Sequence, residues 1–211
     1  MSELCVIFDL DGTLVDSEGL NCRAFLELIP EIAESADTLA DRYRGMKLAE
    51  ILADISVRYG LSIGKDFEPQ YRERVAALYE SHLSENPGVS GLLGRLSYRL
   101  CVASSAPYSK IAHALEVTNL SAYFDGKLFS SYEIGSWKPN PGLFLHAASE
   151  MGFGPGSCVV IEDSAPGVEA GIAAGMHVCH YRGTSDFDGR CYLFSNMTEL
   201  DDLLNRIQRA S

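Results

Sequence analysis

The sequence predicts an α/β protein, a doubly wound parallel sheet of the Rossmann type with an all-helical segment inserted after its first strand. Three observations carry the prediction. Four short apolar runs, at 4–8, 100–103, 158–161 and 177–180, have the character of buried parallel strands. Helix-period segments alternate with the last three of these runs. Between residues 8 and 100 the only periodic patterns are helical.

Taken in order, the strand at 4–8 stops at an Asp-rich turn, and helical spacing then recurs at 21–28, 48–59 and 69–83. Asn86-Pro87-Gly88 is a turn signal that marks the return to the sheet. The expected organisation is therefore a core made of 1–16 and 87–211, roughly 140 residues, split by an insertion at 17–86 of roughly 70. After the strand at 100–103, a helix over 107–117 places Ile111, Ala112 and Leu115 on one face. Asn140-Pro141 opens a helix running to Met151. Ser164 can cap the next helix, which ends at Gly175, and 198–209 closes the chain with Leu200, Leu203, Leu204 and Ile207 in register.

With 211 residues, 46% hydrophobic and 22% charged, the chain can bury a full core, which excludes a disulfide-stapled miniprotein and a disordered chain. The net charge of −12 has the wrong sign for nucleic-acid phosphates and anionic lipid. No run of about 18 apolar residues could span a bilayer, and the start lacks a signal-peptide pattern, so a cytoplasmic location is expected. Six cysteines at wide spacings without a CxxC are expected to be reduced and structural, and two sequons, at Asn119 and Asn196, have no meaning without secretion. The five histidines have no metal-ligand spacing. A P-loop is missing, and the glycines at 152–156 precede a strand instead of following one. Nothing in the sequence sets the oligomeric state, and a monomer is compatible with it.

The chemistry concentrates at the expected strand ends. Asp9-Leu10-Asp11-Gly12-Thr13 follows the first strand, where open α/β sheets hold ligands, although Asp-Gly alone is also an ordinary turn. Glu162-Asp163 ends the strand at 158–161. Carboxylates converging there repel one another unless a cation intervenes, and carboxylate oxygens are the ligands Mg²⁺ prefers, so a divalent ion is implied. The same acidic pair could serve the helix cap at Ser164, and the two roles are compatible. Ser104-Ser105 offers hydroxyls and a helix N-terminus for a phosphate. Lys138, between Trp137 and Pro139, has its backbone restricted by the proline and so is aimed in one direction. A nucleophile, an acid/base, a metal site, a hydroxyl and a cation at successive strand ends suit phosphoryl transfer.

These residues, DLDGTLVDS, the strand-end Ser104, Lys138 and the EDS at Glu162 to Ser164, resemble the four motifs of the haloacid dehalogenase superfamily of phosphatases over nearly the whole chain. The insertion resembles that family's C1-type cap. The stretch from Phe129 to Gly142 and Tyr43 to Lys47 are similar to the sugar-phosphate phosphatases of the family, notably the 6-phosphogluconate phosphatase group and, more distantly, the β-phosphoglucomutases. The resemblance implies an Mg²⁺-dependent phosphatase acting on a small phosphate ester through an aspartyl-phosphate. In that reading Asp9 is the nucleophile and Asp11 the acid/base; Asp9, the Asp11 carbonyl and Asp163 hold the metal, with Glu162 either a ligand or the holder of a metal-bound water. Ser104 and Lys138 bind the phosphoryl group, and the role of Ser105 is open. Thr13 stands where β-phosphoglucomutases tend to have valine, which favours hydrolysis, though it could equally satisfy a turn amide. Arg44 and Lys47, in a turn of the insertion, are either substrate contacts or surface charge. The alternatives to a phosphatase are a phosphomutase and, from another class, a non-catalytic sensor of phosphorylated metabolites. A dehalogenase is disfavoured because that reaction uses neither the second aspartate nor a metal.

Overall fold

The computed structural model of the chain describes residues 4–210. Strand β1 (Cys5–Phe8) is followed by four helices, α1 (Glu18–Leu28), α2 (Ala36–Tyr43), α3 (Leu48–Tyr59) and α4 (Phe67–His82). Short α5 (Val89–Leu93) leads into β2 (Arg99–Ser104), α6 (Tyr108–Val117), β3 (Leu128–Ser130), α7 (Ser131–Ile134) and α8 (Gly142–Met151). Then come β4 (Cys158–Glu162), α9 (Ala165–Ala173), β5 (His177–Tyr181), β6 (Tyr192–Phe194) and α10 (Leu200–Ala210).

The strands form one parallel sheet in the order β3-β2-β1-β4-β5-β6. Every residue of β1 and β4 is buried, as continuous apolar runs in a doubly covered sheet should be. The period of two sorts their side chains. Val6, Phe8, Val102, Val159 and Ile161 enter one apolar cluster with α6 and α10, whereas Cys5, Ile7, Cys101, Ala103, Cys158 and Val160 enter another with α8 and α9. All six cysteines are free and buried.

The first cluster continues beyond the sheet into α1 to α4, where Phe25 stacks on Tyr71 at 4.3 Å between ring centres. Both connections of this helical segment to the sheet lie side by side. Val15 bridges Glu85, the Asp16 amide donates to the Ser84 carbonyl at 3.0 Å, and buried Asn86 donates to the carbonyls of Gly12 and Thr13 at 2.8 and 3.0 Å.

The structure extends the expected strands by one residue here and there, so that Ser104 and Glu162 are the last residues of β2 and β4. It adds β3 and β6, three-residue edge strands too short for a periodic signal, and helices α2, α5 and α7. Helix α4 begins at Phe67, ahead of Pro69, which its first turn accommodates without losing a hydrogen bond. Ser164 caps α9 by accepting from the Gly167 amide at 3.2 Å, and Gly175 follows that helix with φ of 72°. Among the described residues no helix is long and apolar enough to cross a membrane.

Candidate active site

The strand order reverses its direction between β1 and β4, which opens a crevice at their C-terminal ends. Asp9 leaves β1 there, its amide bonded to the Ile161 carbonyl of β4 at 2.9 Å, and Asp163 follows β4. The chain turns at Gly12 with φ of 79°, and a Cβ at that position would collide with the Asp163 carboxylate. Only glycine lets the turn fold so close. The next residue, buried Thr13, donates its hydroxyl to Asp163 Oδ1 at 3.1 Å.

Oxygens of Asp9, Glu162 and Asp163 lie within 4.8 Å of one another, and all three residues are buried. Lys138 enters from the loop after α7, with its peptide bond to Pro139 cis, and its Nζ is 2.5 Å from Asp9 Oδ1 and 2.5 Å from Glu162 Oε1. The second Glu162 oxygen accepts from the amide and hydroxyl of Ser164 at 2.8 and 2.9 Å. One buried ammonium thus faces three buried carboxylates. Burial, relieved by the charge of Lys138 but reinforced by Glu162 and Asp163, drives the Asp9 carboxyl well above its usual range. Burial, together with Glu162 and Glu18 and offset by Arg44 and Thr13, pushes Asp163 up to about 8. Burial alone would lower Lys138, but the charges of Asp9 and Glu162 outweigh it and hold the ammonium protonated. The two 2.5 Å contacts mark Lys138 as ion-paired with Asp9 and Glu162, with one ammonium set against three carboxyls. Three hard oxygen donors crowded in this way fit a divalent cation of the Mg²⁺ type.

Asp11 is held differently. Its Oδ1 accepts from Ser17 at 2.5 Å, Lys110 at 2.9 Å, Tyr79 at 3.2 Å and Asn21 at 3.3 Å, and Lys110 also donates to Oδ2 at 2.9 Å. Burial would raise this carboxyl, but the charge and hydrogen bonds of Lys110, aided by Ser17 and Asn21, lower it.

A cavity of about 410 Å³ spreads from these carboxylates to the helical segment, and Ser104, Ser105, Arg44 and Lys47 all line it. The Ser104 hydroxyl accepts from the Ala106 amide at 3.1 Å. Arg44 turns inward to Glu18 Oε2 at 2.7 Å and to Asp163 Oδ2 at 3.1 Å. Lys47 lies with Nζ 4.9 Å from the centre of the Trp137 ring. The structure therefore brings Asp9, Asp11, Arg44, Lys47, Ser104, Ser105, Lys138, Glu162 and Asp163 to one cavity, whereas Thr13 is buried behind it against Asp163. It adds Ser17, Glu18, Asn21, Tyr79 and Lys110, which sequence reasoning missed. Of these, Lys110 had a signal, because a lysine in the first turn of a helix opposes the helix dipole.

A model of the haloacid dehalogenase-like hydrolases matches residues 6–181. The chain is 38% identical over 179 residues to the 6-phosphogluconate phosphatase of Escherichia coli K12, covering 83% of this chain and 81% of that protein. It is 28% identical over 215 residues to the phosphorylated carbohydrates phosphatase of Thermotoga maritima, covering 95% and 96%. Among solved structures, a haloacid dehalogenase-like protein of Agrobacterium tumefaciens C58 superposes with a TM-score of 0.82 at 26% identity, covering 98% of this chain and all (100%) of that one. A candidate β-phosphoglucomutase of Thermotoga maritima does so with a TM-score of 0.77 at 25% identity, covering 97% and 99%. The sheet order, the carboxylates at its switch point and a family match over most of the chain lead to one conclusion: the chain belongs to the haloacid dehalogenase-like hydrolases.

Proposed function

We propose that this hydrolase is a cytoplasmic, Mg²⁺-dependent phosphoric monoester hydrolase that dephosphorylates a small sugar phosphate or sugar-acid phosphate, such as 6-phosphogluconate, through an aspartyl-phosphate on Asp9. The observation that carries this reading is the buried set of Asp9, Glu162 and Asp163 around Lys138, lining a cavity of metabolite size.

Asp9 Oδ1 is held by Lys138, so its carboxylate is oriented to attack phosphorus, forming the acyl-phosphate bond as the ester P–O bond breaks. The departing alkoxide takes a proton from Asp11, one that Asp11 must take up as the substrate enters, since in the free site it is an acceptor for Ser17 and Lys110. A water then attacks the aspartyl-phosphate, returns a proton to Asp11 and frees inorganic phosphate together with the Asp9 carboxylate. Lys138 and the Ser104 hydroxyl supply fixed donors for the equatorial oxygens of the phosphoryl group, and Ser105 borders the same pocket. Asp9, the Asp11 carbonyl and Asp163, with Glu162 beside them, would hold Mg²⁺, which neutralises charge on phosphate and carboxylates.

We assign 17–86 as a helical cap over a core of 1–16 and 87–211, which excludes bulk water from the cavity. Lys47, whose ammonium has only the Trp137 ring as a partner among the described residues, is the cation best placed for a sugar hydroxyl or carboxylate of the substrate. The relatives named phosphatases of 6-phosphogluconate and of phosphorylated carbohydrates support that substrate class. The test is a phosphate-release screen over phosphorylated metabolites with Mg²⁺, with EDTA and Asp9→Asn as controls. Release abolished by both controls is expected. Undiminished release by Asp9→Asn refutes the nucleophile, and an isomerised sugar phosphate without free phosphate makes the protein a mutase.

A further inference from the structure

Lys110 is a cavity cation that the sequence motifs do not include, and its surroundings are unusual for a lysine. It is the third residue of α6, where a cation opposes the helix dipole. Its Nζ divides itself evenly between the two Asp11 oxygens, at 2.9 Å each, while lying 5.7 Å from the centre of the Tyr79 ring. Both members of the pair are largely buried, so it is not an exposed ion pair of negligible effect. The other three donors to Asp11 all touch Oδ1 and all come from the segment that starts at Ser17: Ser17 itself, Asn21 on α1 and Tyr79 on α4. The Tyr79 hydroxyl shares its one hydrogen between Asp11 Oδ1 and Asn21 Oδ1, the latter at 2.9 Å, and the Asn21 backbone amide donates to the Ser17 carbonyl at 2.9 Å, so these three form one connected group. Lys110 is thus the only recorded partner of Oδ2 among the described residues, and the only donor to Asp11 from the sheet-bound α6.

We infer that Lys110 is a positioning residue: it draws Asp11 Oδ2 toward the core wall of the cavity and so sets the carboxyl where a departing substrate oxygen can take its proton. The inference rests on the proposed phosphatase reading. Without Lys110, Oδ1 keeps its three donors but the carboxyl can rotate about them, and misplacement on the order of 1 Å of a reacting group costs roughly 100-fold.

The test compares Lys110→Met with the parent enzyme on two esters in the presence of Mg²⁺, reading kcat/KM, which reports only the steps up to release of the first product. One ester is 6-phosphogluconate, or whichever alkyl phosphate the parent hydrolyses, whose alkoxide must be protonated. The other is p-nitrophenyl phosphate, whose phenolate leaves without a proton. We expect a fall of roughly 10- to 100-fold on the alkyl ester and less than about threefold on the aryl ester, with Lys110→Arg recovering most of the loss. In an Asp11→Asn background, Lys110→Met should add no further loss on the alkyl ester, because its effect runs through Asp11. Equal losses on both esters overturn the inference, and so do additive losses in the double variant. A change confined to KM for the alkyl ester also overturns it and makes Lys110 a substrate contact. Should Lys110→Met not fold, Lys110→Gln is measured against the same criteria. A parent enzyme inactive on both esters refutes the phosphatase reading and takes this inference with it, whereas an active parent with uniform losses in the variant overturns this inference alone.

Discussion

The Arg44 guanidinium, on the turn between α2 and α3, lies 3.1 Å from the carboxylate of Asp163 at the end of the central sheet. The cation therefore stands beside one of the three carboxylates suited to hold a metal, and it competes there with any divalent ion. Removing it strips a positive neighbour from Asp163, so the metal-free protein should become less stable while its affinity for a cation rises. Thermal melts of the parent and Arg44→Ala, each with EDTA and with Mg²⁺, should show a lower Tm for the variant in EDTA and a larger upward shift on adding the metal. A shift no larger than that of the parent would falsify the competition.

Glu18 gives the site a pH dependence of definite sign. Burial, relieved by Arg44 but reinforced by Asp11, Asp9 and Asp16, raises its carboxyl from 4.5 to about 7. The folded state then keeps this proton at pH values where the unfolded chain has lost it, so stability from this group is lost as pH rises from about 4.5 to about 7. Glu18→Gln escapes that loss. In EDTA, the variant should gain on the parent steadily across this window and level off above it, by at most about 3 kcal/mol. Urea unfolding at several pH values measures the gap; a gap constant with pH rules the account out.

Why some parts were legible in the sequence and others were not follows from where each residue's partners lie. Strands β1, β2 and β4 each carry four apolar residues in succession, which fits a sheet covered on both faces, whereas β5 has only Val178 and Cys179 between two histidines. Edge strand β6 exposes Tyr192 and Leu193 and pairs through three residues, so it leaves no pattern. Helix α2 buries only Leu39 and Tyr43, too little for an apolar stripe. Asp9, Asp11, Ser104, Glu162 and Asp163 stand at or just beyond strand ends, so reading the strands located them. Asn21, Tyr79 and Lys110 sit on helix faces, and tertiary packing alone brings them to Asp11.

Lys138 should be worth more to stability than a lysine usually is. Its side chain is buried between Asp9 and Glu162, and its loss leaves two buried carboxylates without their cation. Breaking a buried ion pair by deleting one partner typically costs about 3–5 kcal/mol. Lys138→Met is expected to lose that much in urea unfolding with EDTA, and to recover part of it when Mg²⁺ supplies the missing positive charge. A loss under about 1 kcal/mol would mean that the carboxylates are neutral in the folded protein, contrary to the ion pair read from the short contacts.

The last prediction concerns how the 44–47 turn is held against the sheet. Gly45 has φ of 73°, and a Cβ there would lie 2.9 Å from both Cβ and Oγ of Ser164, the cap of α9. Gly45→Ala therefore meets two obstacles at once, a left-handed backbone and a fixed neighbour, and the turn must retreat from Ser164. Two residues on, Lys47 lies over Trp137, the only tryptophan in the chain, so retreat of the turn also takes the cation off the indole. The variant should unfold about 1–3 kcal/mol more readily and its tryptophan emission should change. Lys47→Ala separates the two effects, since it removes the cation without forcing the turn: its emission should change in the same sense while its Tm stays close to that of the parent. Emission unchanged in Gly45→Ala would show that the turn stays docked and that Ser164 yields instead.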